Sequence, residues 1–160
     1  MKNLLFLCTG NSARSILAEA ILNRIGAGKY AAFSAGSQPA GRVNPGAAML
    51  LQAKGFDIRE FRSKSWDEFA APDAQAMDII ITVCDSAANE SCPVWPGHPL
   101  VVHWSLPDPA AVTGDAQQIR SAFEATFNIL EQRLTCLVSL DPADLTRTEL
   151  NRIAGTFPLA

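Results

Sequence analysis

The sequence lacks the features of membrane, nucleic-acid-binding and repeat proteins. Its 160 residues contain 13 lysines and arginines against 16 aspartates and glutamates, so the net charge is −3. A chain with this balance offers no basic stripe to neutralise phosphates, which argues against nucleic acid as a partner. No stretch approaches the roughly 20 apolar residues that span a membrane, and no internal repeat occurs. We therefore expect one domain, residues 1–160, with neither nucleic acid nor membrane as a partner.

Secretion signals and metal-binding cysteine patterns are also missing. The apolar run at residues 4–7 is too short for a signal peptide, and no cleavage signature follows it. We therefore expect a cytoplasmic protein, in which thiols are kept reduced. The four cysteines have neither C-x-x-C spacing nor a histidine at ligand spacing, so we predict no metal site. Such cysteines are more typical of reactive or buried thiols than of a disulfide framework, and Cys136, within a predicted helix, is expected to be a core residue.

A polar loop between two apolar segments is the most informative stretch that is present. Residues 4–7 predict a strand, and residues 16–25 have the periodicity of a helix, which we expect to begin near Ser12. Between them a cysteine and an arginine stand at C-x5-R spacing. The loop consists of Cys8, Thr9, Gly10, Asn11, Ser12, Ala13, Arg14 and Ser15. A loop that leads into the start of a helix is a ready anion-binding element.

The residue types in this loop predict an oxyanion site with a nucleophile. Gly10 permits a left-handed turn and Asn11 tolerates one, so successive N–H groups can converge on one point. Arg14 offers a planar fork for two oxygens of a tetrahedral anion. In this positive field we expect Cys8 to ionise near neutral pH and to act as a nucleophile, with Ser15 as a hydrogen-bond donor to it. The alternative is a buried cysteine at a strand end beside an arginine that caps a helix.

Apolar runs elsewhere in the chain predict the rest of the fold. Further strands are predicted at residues 30–35, 78–83 and 100–104. Helices are predicted to open at Asn44-Pro45, to cover residues 114–140 and to start again at Asp141-Pro142. Strands that alternate with helices predict an α/β fold, a three-layer sandwich in which helices flank a four-stranded parallel sheet.

The carboxyl ends of parallel strands lie along one edge of a sheet, where such folds bind ligands. We therefore expect Cys8, Ser34, Cys84 and the segment that leads to Asp108 to meet there. Cys92 follows Cys84 after a run of helix formers and caps, which predicts a short helix between the two thiols. The carboxyl group of Asp108 is a candidate general acid. The alternatives are a core role for Cys84, an incidental Cys92 and an ordinary turn at Asp108.

Together these motifs resemble those of the low-molecular-weight protein tyrosine phosphatases. The loop of residues 8–15 is more similar still to that of the arsenate reductases that share the phosphatase fold, where C-T-G-N-S-x-R-S is typical. The likeness extends through Ser34-Ala35-Gly36, the segment from Cys84 to Cys92-Pro93, and Asp108-Pro109. It implies a low-molecular-weight phosphatase-like fold and a protein that reduces arsenate to arsenite in arsenic detoxification. Phosphate and sulfate are the competing anions that it implies.

Thioredoxin-coupled reductases of this type use three cysteines in sequence, and Cys8, Cys84 and Cys92 match their order. The resemblance implies that Cys8 attacks arsenic, that Arg14 and the loop amides bind the oxygens, and that Asp108 assists the departure of hydroxide. It further implies a first disulfide between Cys8 and Cys84 and a second between Cys84 and Cys92. No bound cofactor is implied, only an external thiol reductant, either thioredoxin or glutathione with glutaredoxin. A residual phosphatase activity is also consistent with it.

Two other functions remain open. A low-molecular-weight protein tyrosine phosphatase would hydrolyse phosphomonoesters with Cys8, Arg14 and Asp108, and the other cysteines would be bystanders. A non-catalytic module would bind anions and report the oxidation of the same thiols to a partner. One departure disfavours the phosphatase: Ala110 follows the Asp-Pro pair, where phosphatases usually carry an aromatic residue that packs on the substrate.

Potassium is a further ligand to consider, because some reductases of this family bind it near the loop. Asn11, Ser34 and Ser63 could supply oxygens here. Lys64 and Ser65, however, stand where an acidic residue is expected. The sequence therefore disfavours a potassium site.

Overall fold

The predicted strands form one parallel sheet in the computed structural model, which describes residues 1–158. The strands are β1 (Lys2–Leu7), β2 (Tyr30–Ala35), β3 (Ile79–Thr82) and β4 (Leu100–His103). Their order in the sheet is β2-β1-β3-β4, so β1, which leads into the polar loop, is paired on both sides. The four-stranded parallel sheet predicted from the sequence is confirmed.

Six α-helices lie within residues 1–158 and connect or follow the strands. They are α1 (Arg14–Ile25), α2 (Pro45–Ala53), α3 (Asp67–Ala70), α4 (Asp85–Asn89), α5 (Ala116–Ser139) and α6 (Arg147–Thr156). Side-chain caps fix several starts: Asn44 accepts a hydrogen bond from the N–H of Gly46, and Asp115 and Gln118 cap each other reciprocally. None of these helices has the length and apolarity that a membrane crossing requires.

The central strand β1 packs against helices on both faces of the sheet, because successive side chains of a strand point to opposite faces. Leu4 and Phe6 belong to the larger core, which contains apolar residues of α1, α2, α5 and α6. Leu5 and Leu7 belong to the smaller core, where Trp95 packs together with side chains of the α3 region. The three-layer sandwich predicted from the sequence is confirmed.

Two helices begin later than the sequence predicts. α1 begins at Arg14 rather than near Ser12, because Asn11 has a positive φ of 42° and Ala13 still has non-helical backbone angles. α6 begins at Arg147 rather than at Pro142, because a 3-10 turn over Pro142–Asp144 comes first. The later start of α1 leaves more of the polar loop free to curve around a ligand.

Candidate active site

The loop between β1 and α1 lines a cavity of about 260 Å³ at the carboxyl edge of the sheet. The cavity walls are Cys8, Thr9, Gly10, Ser12, Ala13, Arg14, Cys84, Ser86, Asp108 and Ala110. Four of the residues predicted to act together, Cys8, Arg14, Cys84 and Asp108, therefore lie in one place. Sites for drug-sized ligands usually exceed about 300 Å³, so this cavity is of a size for a small anion.

The end of β2 supports the loop from behind but supplies no wall of the cavity. A Cβ atom at Gly36 would overlap the carbonyl oxygens of Cys8 and Thr9, so only glycine allows the loop to approach the strand this closely. Ser34 is buried and donates a hydrogen bond to Glu19 Oε2 at 2.5 Å. The expectation that Ser34 meets Cys8 in the site is therefore wrong, because Ser34 is directed to a buried carboxylate instead.

A buried chain of hydrogen bonds leads to the sulfur of Cys8. The N–H of Lys64 donates to Asn11 Oδ1 at 2.9 Å, and Asn11 Nδ2 donates to Ser15 Oγ at 2.8 Å. Ser15 Oγ in turn lies 2.9 Å from Cys8 Sγ. Because the Ser15 oxygen accepts from Asn11, its own hydrogen is free to point at the cysteine sulfur. Asn11 and Ser15 are fully buried, so they position Cys8 from behind and do not line the cavity.

Arg14 and Asp108 line the same cavity at ion-pair distance. Arg14 Nη1 donates to the carbonyl oxygen of Leu106 at 3.0 Å, and Nη2 lies 3.6 Å from Asp108 Oδ2. The Arg14 side chain is 16% exposed and the Asp108 side chain 42% exposed, so the guanidinium is fixed while the carboxyl group reaches solvent. A fixed cation beside an accessible carboxyl group can bind an anion and supply a proton to it.

The two remaining thiols of interest have different surroundings. Cys84 is buried, lines the cavity and caps α4, and its sulfur accepts hydrogen bonds from the N–H groups of Thr9 at 3.3 Å and Ala87 at 3.4 Å. Cys92 is exposed and is absent from the cavity walls. It lies beyond the end of α4, so this helix does not span both cysteines. Partial burial, and secondly the carboxylate of Glu90, raise the pKa of the Cys92 thiol.

A buried ion pair lies behind the loop. Lys64 Nζ is 4.0 Å from Glu19 Oε2 and 3.5 Å from Ser34 Oγ, and it donates to the carbonyl oxygen of Arg62 at 3.1 Å. Burial raises the pKa of Glu19 and lowers the pKa of Lys64, and the opposite charge counteracts the shift in each case. The Lys64 ammonium thus lies beside the hydrogen-bonded pair of Glu19 and Ser34 and supplies the positive charge there, so these residues do not fit an additional potassium ion.

Replacing Lys64 by methionine should destabilise the protein strongly. The change leaves the Glu19 carboxylate buried without its cation, which costs about 3 kcal/mol of unfolding free energy. Urea denaturation measures the loss, and the double variant Lys64→Met/Glu19→Gln should recover most of it. Arg59→Met breaks an exposed pair with Asp57 and is the control, which should leave the denaturation midpoint nearly unchanged. A loss in Lys64→Met no larger than in this control would contradict the importance of the buried pair.

The similarity of the chain to known sequences covers nearly all of its length. Residues 3–151 match the family described as low molecular weight phosphotyrosine protein phosphatase. The chain belongs to this family. The arsenate reductase of Bacillus licheniformis is 33% identical to it over 133 residues, which cover 83% of this chain and 92% of that protein.

Solved structures of arsenate reductases share the fold described above. The arsenate reductase from Archaeoglobus fulgidus gives a TM-score of 0.67 at 31% identity, and the match covers 86% of this chain and 99% of that one. A thioredoxin-dependent arsenate reductase from Corynebacterium glutamicum gives a TM-score of 0.57 at 25% identity, over 84% of this chain and 62% of that one. The low-molecular-weight phosphatase-like fold predicted from the sequence is confirmed.

Sequence reasoning missed two residues beside the cavity of this family member. Ser86 lines the cavity, and Glu90 Oε1 accepts a hydrogen bond from the hydroxyl of Thr9 at 3.0 Å. Both belong to the segment between Cys84 and Cys92. The sequence offered one signal for Ser86 and Glu90: the segment that carries them follows a predicted strand at the carboxyl edge of the sheet. Any polar side chain at that edge can turn toward the loop.

Proposed function

We propose that this protein reduces arsenate to arsenite and thereby detoxifies arsenic. The observation that carries the proposal is the presence of two thiols, Cys8 and Cys84, in one cavity with Arg14. Reduction of As(V) to As(III) needs two electrons, which a pair of thiols supplies when it becomes a disulfide. A phosphatase needs one nucleophile and a water molecule, so it would have no use for the second thiol. The relatives named as arsenate reductases support the same function.

The first step is attack of the Cys8 thiolate on arsenic, with formation of an arsenic–sulfur bond. The N–H groups of loop residues 9–15 and the Arg14 guanidinium bind the oxygens and stabilise their charge. Asp108 gives its proton to the departing hydroxide, which leaves as water. Two contacts support these roles: the hydrogen bond between Ser15 and Cys8, and the position of Arg14 beside Asp108.

Electrons pass from sulfur to arsenic in the next step. Cys84 attacks the sulfur of Cys8, the arsenic–sulfur bond breaks, and its electron pair stays on arsenic, which leaves as arsenite. Cys92 then attacks Cys84, so the disulfide moves to Cys84 and Cys92 and Cys8 returns as a thiolate. Because Cys92 lies outside the cavity, the segment between the two thiols must rearrange. The five-residue helix α4 buries only Ala87, so it can unwind at low cost.

An external thiol reductant completes the cycle by reducing the disulfide between Cys84 and Cys92. It is thioredoxin, or glutaredoxin with glutathione, and no bound cofactor takes part. One solved relative is described as thioredoxin-dependent, which favours thioredoxin as the reductant. Phosphate and sulfate compete with arsenate for the loop because they share its tetrahedral shape. The chain works as a single domain, residues 1–160, whose four strands join one sheet.

Phosphatase activity is the second candidate, since Cys8, Arg14 and Asp108 together suffice for it. The cavity does not favour an aryl substrate, because none of its described walls is aromatic and Ala110 stands near Asp108. A substrate ring would therefore have no aromatic side chain to pack against. The residues that line the cavity therefore favour a small inorganic anion as substrate, and we expect phosphatase activity only as a slow side reaction.

One assay series on the purified, reduced protein tests the proposed function. We expect arsenite to form from arsenate with dithiothreitol or thioredoxin as reductant, much faster than the same sample hydrolyses an aryl phosphate. Heat-denatured protein is the control for direct reduction by the added thiol. If the protein hydrolyses the aryl phosphate but forms no arsenite, it is a phosphatase. If its thiols become oxidised but neither arsenate nor the aryl phosphate is turned over, it is an oxidation sensor.

A further inference from the structure

One residue of the anion loop, Thr9, is hydrogen-bonded to both ends of α4. Its N–H donates to the sulfur of Cys84, which caps the start of the helix, and its hydroxyl donates to Oε1 of Glu90. Glu90 is the residue directly after the helix. A single residue that lines the cavity therefore holds the segment that carries Cys92.

The carboxylate of Glu90 and a bound oxyanion would compete for this residue. The Thr9 hydroxyl has one hydrogen, so it can donate to only one acceptor at a time. Thr9 also lines the cavity, so an oxyanion in the loop and the Glu90 carboxylate would lie close to each other. Two negative charges at short separation in a partly buried site repel one another. The hydrogen bond between Thr9 and Glu90 is therefore compatible with the empty cavity and disfavoured in the occupied one.

We propose that this hydrogen bond, which we name the Glu90 latch, holds residues 85–92 while the cavity is empty and opens when the oxyanion binds. Glu90 is then a positioning residue that couples substrate binding to the release of Cys92. The inference rests on the proposed function, because it assigns a trigger to the rearrangement that the thiol relay needs. The latch involves one hydrogen bond, and no covalent bond changes when it opens.

Glu90 also affects the thiol that the segment carries. After burial, its carboxylate is the second cause of the raised pKa of Cys92, so the closed latch favours the protonated, weakly nucleophilic thiol.

Amide hydrogen exchange of the reduced protein, with and without inorganic phosphate, tests the latch. In the native chain, phosphate should slow exchange in residues 8–15 and speed exchange in residues 85–92. The amide oxygen of Glu90→Gln still accepts from Thr9 but carries no charge, so the repulsion between residue 90 and the oxyanion is lost. Phosphate should therefore bind several-fold more tightly and should speed exchange in residues 85–92 less than it does in the native chain. In Glu90→Ala, exchange of the segment should be fast with or without phosphate.

Two controls isolate the charge of Glu90. Sodium chloride at the ionic strength of the phosphate sample accounts for general screening. Glu131→Gln removes the same charge from α5, where Glu131 lies beside Cys136 and outside the cavity. In this variant phosphate should change amide exchange as it does in the native chain. Phosphate binding without faster exchange in residues 85–92, or a native response in Glu90→Gln, would overturn the latch and leave the reductase intact. A loop that phosphate does not protect at all would overturn the proposed oxyanion site and the latch with it.

Discussion

Replacing Cys8 by serine is expected to abolish arsenate reduction. The rate should fall by a factor on the order of 10⁴ or more, because a serine hydroxyl is not ionised near neutral pH and forms no disulfide with Cys84. Serine is close to cysteine in size and can still hydrogen-bond to Ser15, so the fold and phosphate binding should persist. Arsenite release over time measures the activity, and circular dichroism checks the fold.

Cys136 provides the matched control for this substitution. It lies on α5, partly buried against the larger core and away from the cavity walls, so Cys136→Ser should keep nearly full activity. Substantial turnover by Cys8→Ser would exclude Cys8 as the nucleophile. An equal loss in both variants would show that the assay reports damage to folding rather than loss of a reacting group.

The second large effect is expected from Cys84→Ser, which separates the two chemistries that the cavity can support. Arsenate reduction should fall by a factor on the order of 10³ or more, because no second thiol remains to form the first disulfide. Hydrolysis of a small aryl phosphate should stay within about twofold, since it needs only the nucleophile, the cation and the acid. The serine oxygen can still accept from the N–H of Thr9, so the loop should keep its shape. The measurement compares the rates of arsenate reduction and aryl phosphate hydrolysis on one preparation, together with its affinity for phosphate.

Cys92→Ser is the companion variant for that experiment. It should still release arsenite in a single turnover, because Cys8 and Cys84 remain, and should then stop with a disulfide in the cavity. If both activities of Cys84→Ser fell together while phosphate affinity stayed normal, the role of Cys84 as electron donor would be wrong. The side chain would then act by positioning the loop.

The strands and the anion loop could be predicted because their signals are local. Apolar runs identify strands that are buried on both faces, and a C-x5-R loop between a strand and a helix indicates an anion site. The starts of α1 and α6 could not be predicted in the same way. The positive φ of Asn11 and the 3-10 turn over Pro142–Asp144 compete with helix over a single turn of chain, where sequence preferences are nearly balanced.

Local patterns in this chain specify which residues carry the chemistry, whereas packing specifies which of them meet. Cys84 lines the cavity with Cys8, while Cys92, eight positions further along the chain, is exposed outside it. The contact between Thr9 and Glu90 joins residues that are 81 positions apart. No short-range pattern encodes such a pair, because it depends on the pairing of β3 beside β1 and on the residue at which α4 ends.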